Sequence, residues 1–217
     1  MTALERASAE ARSMPGNLLP YERLDDLTTA ARRIVAEVER LPEAPYDLAG
    51  PVDHPIDATV VGLLVGRRLD LPGEALVELG LGLFLQDIGK LALPPAIVHK
   101  PGPLDDAEHE LMRRHPQRGL DLLRGVDIGR EARAVVRFHH ERWDGGGYPA
   151  GLAGEEIPLF ARIAALADAF TGPSSQPASM DVLRAGAGHA FDPGLVEAFE
   201  EVAMARSPGL RADPVAA

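Results

Sequence analysis

The sequence contains no cysteine among its 217 residues. Disulfides and thiolate ligands are therefore excluded, and any metal site must be built from nitrogen and oxygen ligands. Long apolar runs are also lacking, since no stretch reaches the roughly 20 residues that cross a bilayer as a helix. The first residues do not show the basic and then apolar pattern of a secretory signal peptide. We therefore expect a cytoplasmic protein without a membrane anchor.

Basic residues are scarce as well. Lysine and arginine together number 22 against 33 aspartates and glutamates, which gives a formal net charge of −11. General binding to nucleic acid needs a basic surface, so this charge balance argues against it. An anionic small ligand remains compatible with the balance, provided that a few local cations or a metal ion neutralise its charge.

Alternating apolar and polar patterns are missing, and the chain instead shows one helical pattern after another. We predict a helix over 24–41, which a proline-dense segment then breaks. A boundary near residue 48 divides a lead with one helix, 1–47, from the main domain, 48–217. In that domain we predict a helix that begins at His54 and helices over 74–87, 128–140 and 157–170. Another helix starts at Asp105 or Asp106 and is broken by Pro116, just at His115. Two short helices close the chain, one around Val182 and one over 196–202. The predicted fold class is all-α.

The stretch RFHHERWDGGGYP, residues 137–149, is the strongest indication of a functional site. His139 and His140 end an apolar helical pattern. Neighbouring residues on a helix point about 100° apart, so both imidazoles cannot face the core, but both can line a cleft at the helix end. The three glycines 145–147 free the backbone for a close approach to a ligand, and Pro149 stiffens the exit.

Four more residues with metal-binding side chains stand in suggestive positions. His54 opens a core helix, His115 precedes a proline, Asp87 ends the most apolar helix, and Asp168 lies among alanines. A carboxylate in apolar surroundings needs a metal, a cation or hydrogen bonds. Imidazoles and carboxylates without cysteine are typical ligands of Fe, Mn or Zn, so these patterns predict a metal site.

Each of these residues also has a purely structural interpretation. A histidine at a helix end can cap the last carbonyl groups. Asp87 can cap the following turn, and Asp168 can form an ion pair with Arg162 or Lys90. The paired histidines fit such interpretations least well, because both enter the same loop region.

Several segments resemble the HD-GYP family in sequence, order and approximate spacing, across roughly residues 54–203. They are QDIGK (86–90), KPGPL (100–104), RRHP (113–116), HHERWDGGGYP (139–149), GEEIPLFARIAALADAF (154–170) and FDPGLVEAF (191–199). This family is part of the HD superfamily of metal-dependent phosphohydrolases. The resemblance implies a helical bundle of the HD-domain type around a metal site, one or two divalent ions such as Fe or Mn in this chain, and hydrolysis of cyclic di-GMP or a related nucleotide.

The resemblance also implies roles for individual residues. It makes Asp87 and Lys90 catalytic, with Lys90 beside the scissile phosphate, and places Gly147, Tyr148 and Pro149 in a loop that contacts the substrate. The metal ligands that it implies are His54, the position of Gln86, Asp87, His115, His139, His140 and Asp168.

Three departures from the family pattern weaken the implied site. Gln86 stands where the family has histidine, and an amide oxygen is a weak, neutral ligand, so we expect one metal position to be depleted. Gly50 stands where some members carry a glutamate, which disfavours a third metal. The segment after Asp168, TGPSSQPASMD, has no Arg or Lys before Arg184, although the family has arginines there. We expect a phosphate or guanine contact to be lost.

Two functions are consistent with the sequence. We favour a phosphohydrolase that resembles cyclic di-GMP phosphodiesterases and has an altered or weakened metal site. The alternative is a catalytically degenerate domain that serves as a ligand-binding or protein-interaction module in signalling. A nucleotide phosphatase of the broader HD type is disfavoured, because the GYP loop is particular to the cyclic-dinucleotide branch.

Overall fold

A computed structural model describes residues 54–172 and 178–206, together with the single helical positions 29 and 36. Side chains are described for 57–172 and 178–203 in these two ranges. The predicted boundary near residue 48 lies outside the described residues, as does the predicted helix over 24–41 apart from those two positions. Both therefore stay predictions.

Within these ranges the chain is helical, and no strand is present beyond one isolated β-bridge between Ala187 and Phe191. The all-α fold class is thereby confirmed. Two 3-10 segments, Ile88–Ala92 and Gly154–Glu156, accompany the α-helices. The helices are α1 (His54–Arg68), α2 (Gly73–Leu85), α3 (Pro95–Val98), α4 (Asp106–Met112), α5 (His115–Leu122), α6 (Arg130–Phe138), α7 (Leu159–Thr171), α8 (Met180–Gly186) and α9 (Pro193–Arg206). None of the described helices is both long and apolar enough to cross a membrane.

Helix α2 lies at the centre of the bundle, between α1 and α6. Its sequence is apolar on nearly every side, and Leu79, Leu83 and Leu85 are almost completely buried. Burial of each leucine contributes roughly 1.5–3 kcal/mol. A Cβ atom on Gly82 would lie 2.7 Å from Cβ of Val135, so this glycine lets α2 and α6 approach closely. The turn that follows α2 is thereby fixed near the end of α6.

Several predicted helix ends are wrong by one or two residues. Helix α2 ends at Leu85 and not at Asp87, because the chain then tightens into a 3-10 segment in which the Lys90 amide donates to the Asp87 carbonyl at 2.9 Å. Helix α6 begins only after Gly129, whose φ of 80° interrupts the helix, and it ends at Phe138. Helix α7 begins after Pro158. The region 88–103, which lies between two predicted helices, contains the first 3-10 segment and α3.

Two predicted helix boundaries are confirmed. Asp105 caps α4 in a capping box, where its carboxylate accepts from the Glu108 amide at 2.9 Å and the Glu108 carboxylate accepts from the Asp105 amide at 2.8 Å. The break at Pro116 is present, since α4 ends at Met112 and α5 begins at His115. Proline lacks an amide hydrogen and fits the first turn of a new helix.

The first 3-10 segment and α5 touch through glycines. A Cβ atom on Gly89 would lie 1.9 Å from the His115 carbonyl oxygen and 2.5 Å from the Gly119 amide nitrogen. A Cβ atom on Gly119 would lie 2.8 Å from Cγ1 of Val136 on α6. Because no side chain fits at either position, the turn at Asp87, the start of α5 and the end of α6 are held together.

Candidate metal centre

Four side chains meet where these elements converge. One ligand atom from each of Asp87, His115, His139 and His140 lies within 4.8 Å of the others. Asp87 follows α2, His115 begins α5, and the two adjacent histidines follow α6. The rings of His139 and His140 lie just after the end of α6, with centroids 4.1 Å apart. His139 is almost completely buried and His140 is half-buried, so the cleft that both would line stays a prediction.

The hydrogen bonds of two histidines turn their free lone pairs toward each other. Nδ1 of His115 lies 2.8 Å from the Met112 carbonyl oxygen, and Nδ1 of His139 lies 3.1 Å from that of Val135. A carbonyl can only accept, so each Nδ1 carries the proton. The two Nε2 atoms are 3.2 Å apart, and Nε2 of His115 is 3.3 Å from Oδ1 of Asp87. Facing lone pairs beside a carboxylate oxygen are a donor set that fits a cation.

The protonation states at neutral pH suit metal binding. Burial, and then the neighbouring His139, lower the pKa of His115 to about 4 and that of His140 to about 3. Burial opposes ionisation of Asp87, but Lys90 and the nearby histidines outweigh it and lower the pKa of this carboxyl to about 2. His115 and His140 are therefore neutral and Asp87 is anionic at pH 7, which are the forms that coordinate metals.

Lys90 lies at the edge of this group. Its Nζ atom is 2.7 Å from Oδ2 of Asp87, and a third of its side chain, 33%, remains exposed. Lys90 pairs with Asp87, and Arg162 pairs with Asp192 at 2.6 Å. Neither cation therefore forms the ion pair with Asp168 that the structural interpretation of the sequence predicts. A positive charge thus stands beside the metal-binding group and faces solvent.

Gln86 directly follows α2 and contacts α7. It is 2% exposed, and its Nε2 donates to Oδ1 of Asp168 at 3.2 Å. Among the described residues its Oε1 has no hydrogen-bond partner. Asp168 is half-buried on α7 and acts electrostatically on His140, but it is not part of the four-residue group. His54 begins α1, but its side chain lies outside the described residues, so its role as a ligand stays a prediction.

The glycine-rich loop folds back over His140. The Tyr148 ring stacks on that imidazole, with centroids 4.8 Å apart and planes at 23°, and the Tyr148 amide donates to the His140 carbonyl at 3.1 Å. A Cβ atom on Gly147 would lie 2.4 Å from Cα of Glu141, so only glycine fits there. Burial raises the pKa of Tyr148, which keeps its phenol protonated. The Tyr148–Pro149 peptide bond is cis.

Two residues near the site were not singled out from the sequence. Glu141 is 2% exposed, and its carboxylate accepts from the amides of Ala150 at 2.6 Å and Leu152 at 3.2 Å, which clamps the loop. The Arg113 guanidinium lies over the Tyr148 ring, 5.4 Å from its centroid. Both residues lie within the segments that resemble the family. Their contacts depend on how the glycine-rich loop folds back, so residue spacing alone does not predict these contacts.

The fold and the site define an all-α protein with a group of histidines and a carboxylate suited to a divalent ion. A family model described as "HD domain" matches residues 20–195. The chain therefore belongs to the HD domain family.

Known proteins support the HD-GYP resemblance. The cyclic di-GMP phosphodiesterase response regulator RpfG of Xanthomonas campestris is 41% identical over 150 residues, which are 63% of this chain and 39% of RpfG. The 3'3'-cGAMP-specific phosphodiesterase 2 of Vibrio cholerae is 38% identical over 128 residues, which are 54% of this chain and 24% of that protein. The chain thus spans less than half the length of these curated relatives, and the resemblance to the HD-GYP family is confirmed.

A solved structure shares the fold. The HDG"Y"P protein Bd1817 of Bdellovibrio bacteriovorus superposes with a TM-score of 0.63 at 15% identity, over 93% of this chain and 69% of that chain. At this level of identity the similarity concerns the fold, and it supports the helical bundle of the HD-domain type.

Proposed function

We propose that this chain is a metal-dependent phosphohydrolase that cleaves a cyclic dinucleotide, cyclic di-GMP or a close relative, and that its metal centre is altered. The observation that carries the proposal is the pair of facing imidazole nitrogens of His115 and His139, 3.2 Å apart beside Asp87, in a chain of the HD domain family. The domain would span 48–217 and act in the cytoplasm.

Asp87, His115, His139 and His140 would hold one divalent ion, for which Fe or Mn is proposed. When bound, such an ion polarises a phosphoryl oxygen as a Lewis acid. A second ion would need His54, Gln86 and Asp168. We propose that this second position is weak, because the Gln86 amide already donates to Asp168 and its oxygen is a poor ligand.

The chain's own groups orient the substrate. Asp87 holds the Lys90 ammonium at 2.7 Å, so that its exposed part presents a positive charge to a phosphate oxygen. Tyr148 with Gly147 and Pro149 forms the wall above His140, and its protonated phenol can donate a hydrogen bond to the ligand. Lys90 would thereby neutralise the phosphate charge, while the Tyr148 ring keeps water away from one face of His140.

A second function is favoured by one specific observation. The Gln86 side chain binds an oxygen of Asp168, a residue that the enzyme hypothesis assigns to a metal. If the reaction needs two ions, this contact is consistent with a degenerate domain that binds the nucleotide, or a signalling protein, without cleaving it. We rank this module second, because the four-residue group is complete without Gln86.

Hydrolysis of defined substrates tests the proposal. Protein purified without chelators is loaded with Mn²⁺ or Fe²⁺ and incubated with cyclic di-GMP or 3'3'-cGAMP, and linear products are separated by chromatography. We expect linear dinucleotide from at least one substrate.

His139→Ala should lower the rate at least about a hundredfold. It removes a metal ligand itself, and loss of a group that only orients a ligand already costs roughly tenfold to a hundredfold. His109→Ala, an exposed histidine on α4, should not change it. Binding without turnover would favour the module. If the protein shows no binding and no turnover with either nucleotide, the enzyme and the nucleotide-binding module are both refuted, and only the protein-interaction module is left.

A further inference from the structure

Arg113 ends a stack of planar groups that begins in the metal-binding group. The His140 ring stacks on Tyr148 at 4.8 Å, and the Arg113 guanidinium covers that ring, 5.4 Å from its centroid. Arg113 follows the last residue of α4 and stands two positions before His115, the first residue of α5. The guanidinium therefore lies near the four-residue group, in contact with the aromatic ring that stacks on His140.

The guanidinium is accessible to a ligand. The Arg113 side chain is 57% exposed, and its ion pair with Glu110, at 3.6 Å, joins it to a carboxylate that is 70% exposed. Exposed ion pairs of this kind are weak, so a phosphate can replace Glu110 at little cost. A guanidinium offers planar, paired donors that match phosphate oxygens better than an ammonium does.

The proposed substrate class has two phosphates, and Lys90 and the proposed metal ion lie together at a single position. A cyclic dinucleotide carries two phosphodiester groups, and Lys90 is held by Asp87 at the metal-binding group, where it would serve one of them. In the segment after Asp168 the first basic residue is Arg184, and its guanidinium is already bound to Asp181, at 2.9 Å, and to Glu200. Arg113 covers the Tyr148 ring, which stacks on His140, and is placed to supply a second cation.

We propose that Arg113 binds the second phosphate of the cyclic dinucleotide. This inference rests on the proposed function and adds to it the residue that anchors the part of the substrate that is not cleaved. An interaction with a distant, unreacting phosphate contributes equally to the bound substrate and to the transition state, so it acts on KM and binding and leaves kcat nearly unchanged.

Calorimetric binding of cyclic di-GMP to the Mn²⁺-loaded full chain, with steady-state kinetics, tests the inference. For Arg113→Met we expect Kd and KM to rise roughly tenfold to a hundredfold, the range for a charge-assisted hydrogen bond. Arg113→Lys should lie in between, since it keeps the charge but not the paired donors. Arg114→Met is the matched control: it removes the same charge from the next exposed residue. We expect less than about threefold change, because Arg114, unlike Arg113, has no described contact with Tyr148 and an isolated exposed charge contributes little.

The outcomes separate the inference from the function on which it rests. If the wild-type chain binds cyclic di-GMP and Arg113→Met binds it as well as Arg114→Met does, the inference is refuted and the function stands. If the wild-type chain binds neither cyclic di-GMP nor 3'3'-cGAMP, the function itself fails and the inference with it. The same substitution in a Tyr148→Leu background separates a ligand contact from a role in positioning the ring. A further loss of affinity supports direct contact, and no further loss refutes it.

Discussion

At the scale of single residues, Gln86 decides how far the proposed metal site departs from a two-metal centre. It is almost completely buried, its amide group donates to Asp168, and its oxygen has no hydrogen-bond partner among the described residues. A buried amide oxygen without a partner is costly, so the position carries a conflict that a better ligand would relieve.

Replacing Gln86 with histidine should restore the depleted position. Imidazole binds the expected metals far better than a neutral amide does, and the two side chains are similar in size. We expect metal content, measured by elemental analysis of dialysed protein, to rise toward two ions per chain. Hydrolysis of cyclic di-GMP should rise about tenfold or more, equivalent to roughly 1.4 kcal/mol of barrier. Gln86→Met, which has no ligand nitrogen or oxygen, is the control and should keep the wild-type metal content.

Two results would redirect this interpretation. If metal content rises and hydrolysis does not, the arginines missing after Asp168 limit the reaction. If metal content does not change, Gln86 does not face a metal. The second metal position that the family resemblance implies is then wrong for this chain.

At the scale of the elements, the contact between the first 3-10 segment and α5 sets the geometry of the site. Gly89 touches the backbone of His115 and Gly119, so the turn that carries Asp87 is pressed against the start of α5. A side chain at residue 89 cannot be accommodated by a rotamer change, because its neighbours are backbone atoms.

Gly89→Ala should therefore damage both stability and metal binding. Its Cβ atom would lie 1.9 Å from the His115 carbonyl oxygen, which forces the segments apart. We expect a loss of about 1–3 kcal/mol in the free energy of unfolding, measured in urea, and weaker metal binding. Gly194→Ala on α9 is the control, because its Cβ would meet only the Asp192 carboxylate, at an ordinary 3.5 Å. Equal stability of the two variants would contradict the role given to Gly89.

Much of the order of the helices can be predicted from the sequence, whereas the residues at which the helices end cannot. Apolar residues at helical spacing predict the core faces of α1, α6 and α7, because burial of those faces is what stabilises the helices. The end of α2 at Leu85 depends on the 3-10 hydrogen bond from Lys90 to Asp87, and the start of α6 depends on the positive φ of Gly129. Neither is visible in a hydrophobic pattern.

At the scale of the whole molecule, the metal-binding group makes the metal-free protein sensitive to acid. The folded-state pKa values of His115 and His140, about 4 and about 3, lie below the ordinary 6.5. As the pH falls below 6.5, the unfolded chain therefore takes up protons that the folded chain does not, and stability is lost. Asp87, with a pKa of about 2 against 3.8, adds a further loss below pH 3.8.

The free energy of unfolding of chelator-treated protein should accordingly fall between pH 6.5 and pH 4. Two protons set an upper slope of about 2.7 kcal/mol per pH unit. Urea unfolding at pH 7, 6 and 5 measures it, and His140→Phe should flatten the slope because it removes one of the two groups. A stability that is the same at pH 7 and pH 5 would show that these histidines are not buried in neutral form.

The sequence draws attention to the residues of the four-residue group, but it does not predict the hydrogen bonds that orient them. His139 and His140 are recognisable because a helical pattern ends in two imidazoles, and His115 because a proline follows it. The opposed Nε2 atoms depend on the Met112 and Val135 carbonyls, which fix the tautomers and are backbone groups without a sequence signal. The stack of Arg113 on Tyr148 likewise depends on how the loop folds back.

The central claim is that one divalent ion is held by Asp87, His115, His139 and His140. Anomalous diffraction from a crystal of the Mn²⁺-loaded full chain tests it most directly, because the signal locates the ion independently of activity. We predict one strong peak within coordination distance of the Asp87 carboxylate and the Nε2 atoms of His115 and His139, with a weak peak or none beside Gln86. A strong peak elsewhere, or none between these side chains in protein that contains manganese, would contradict the account.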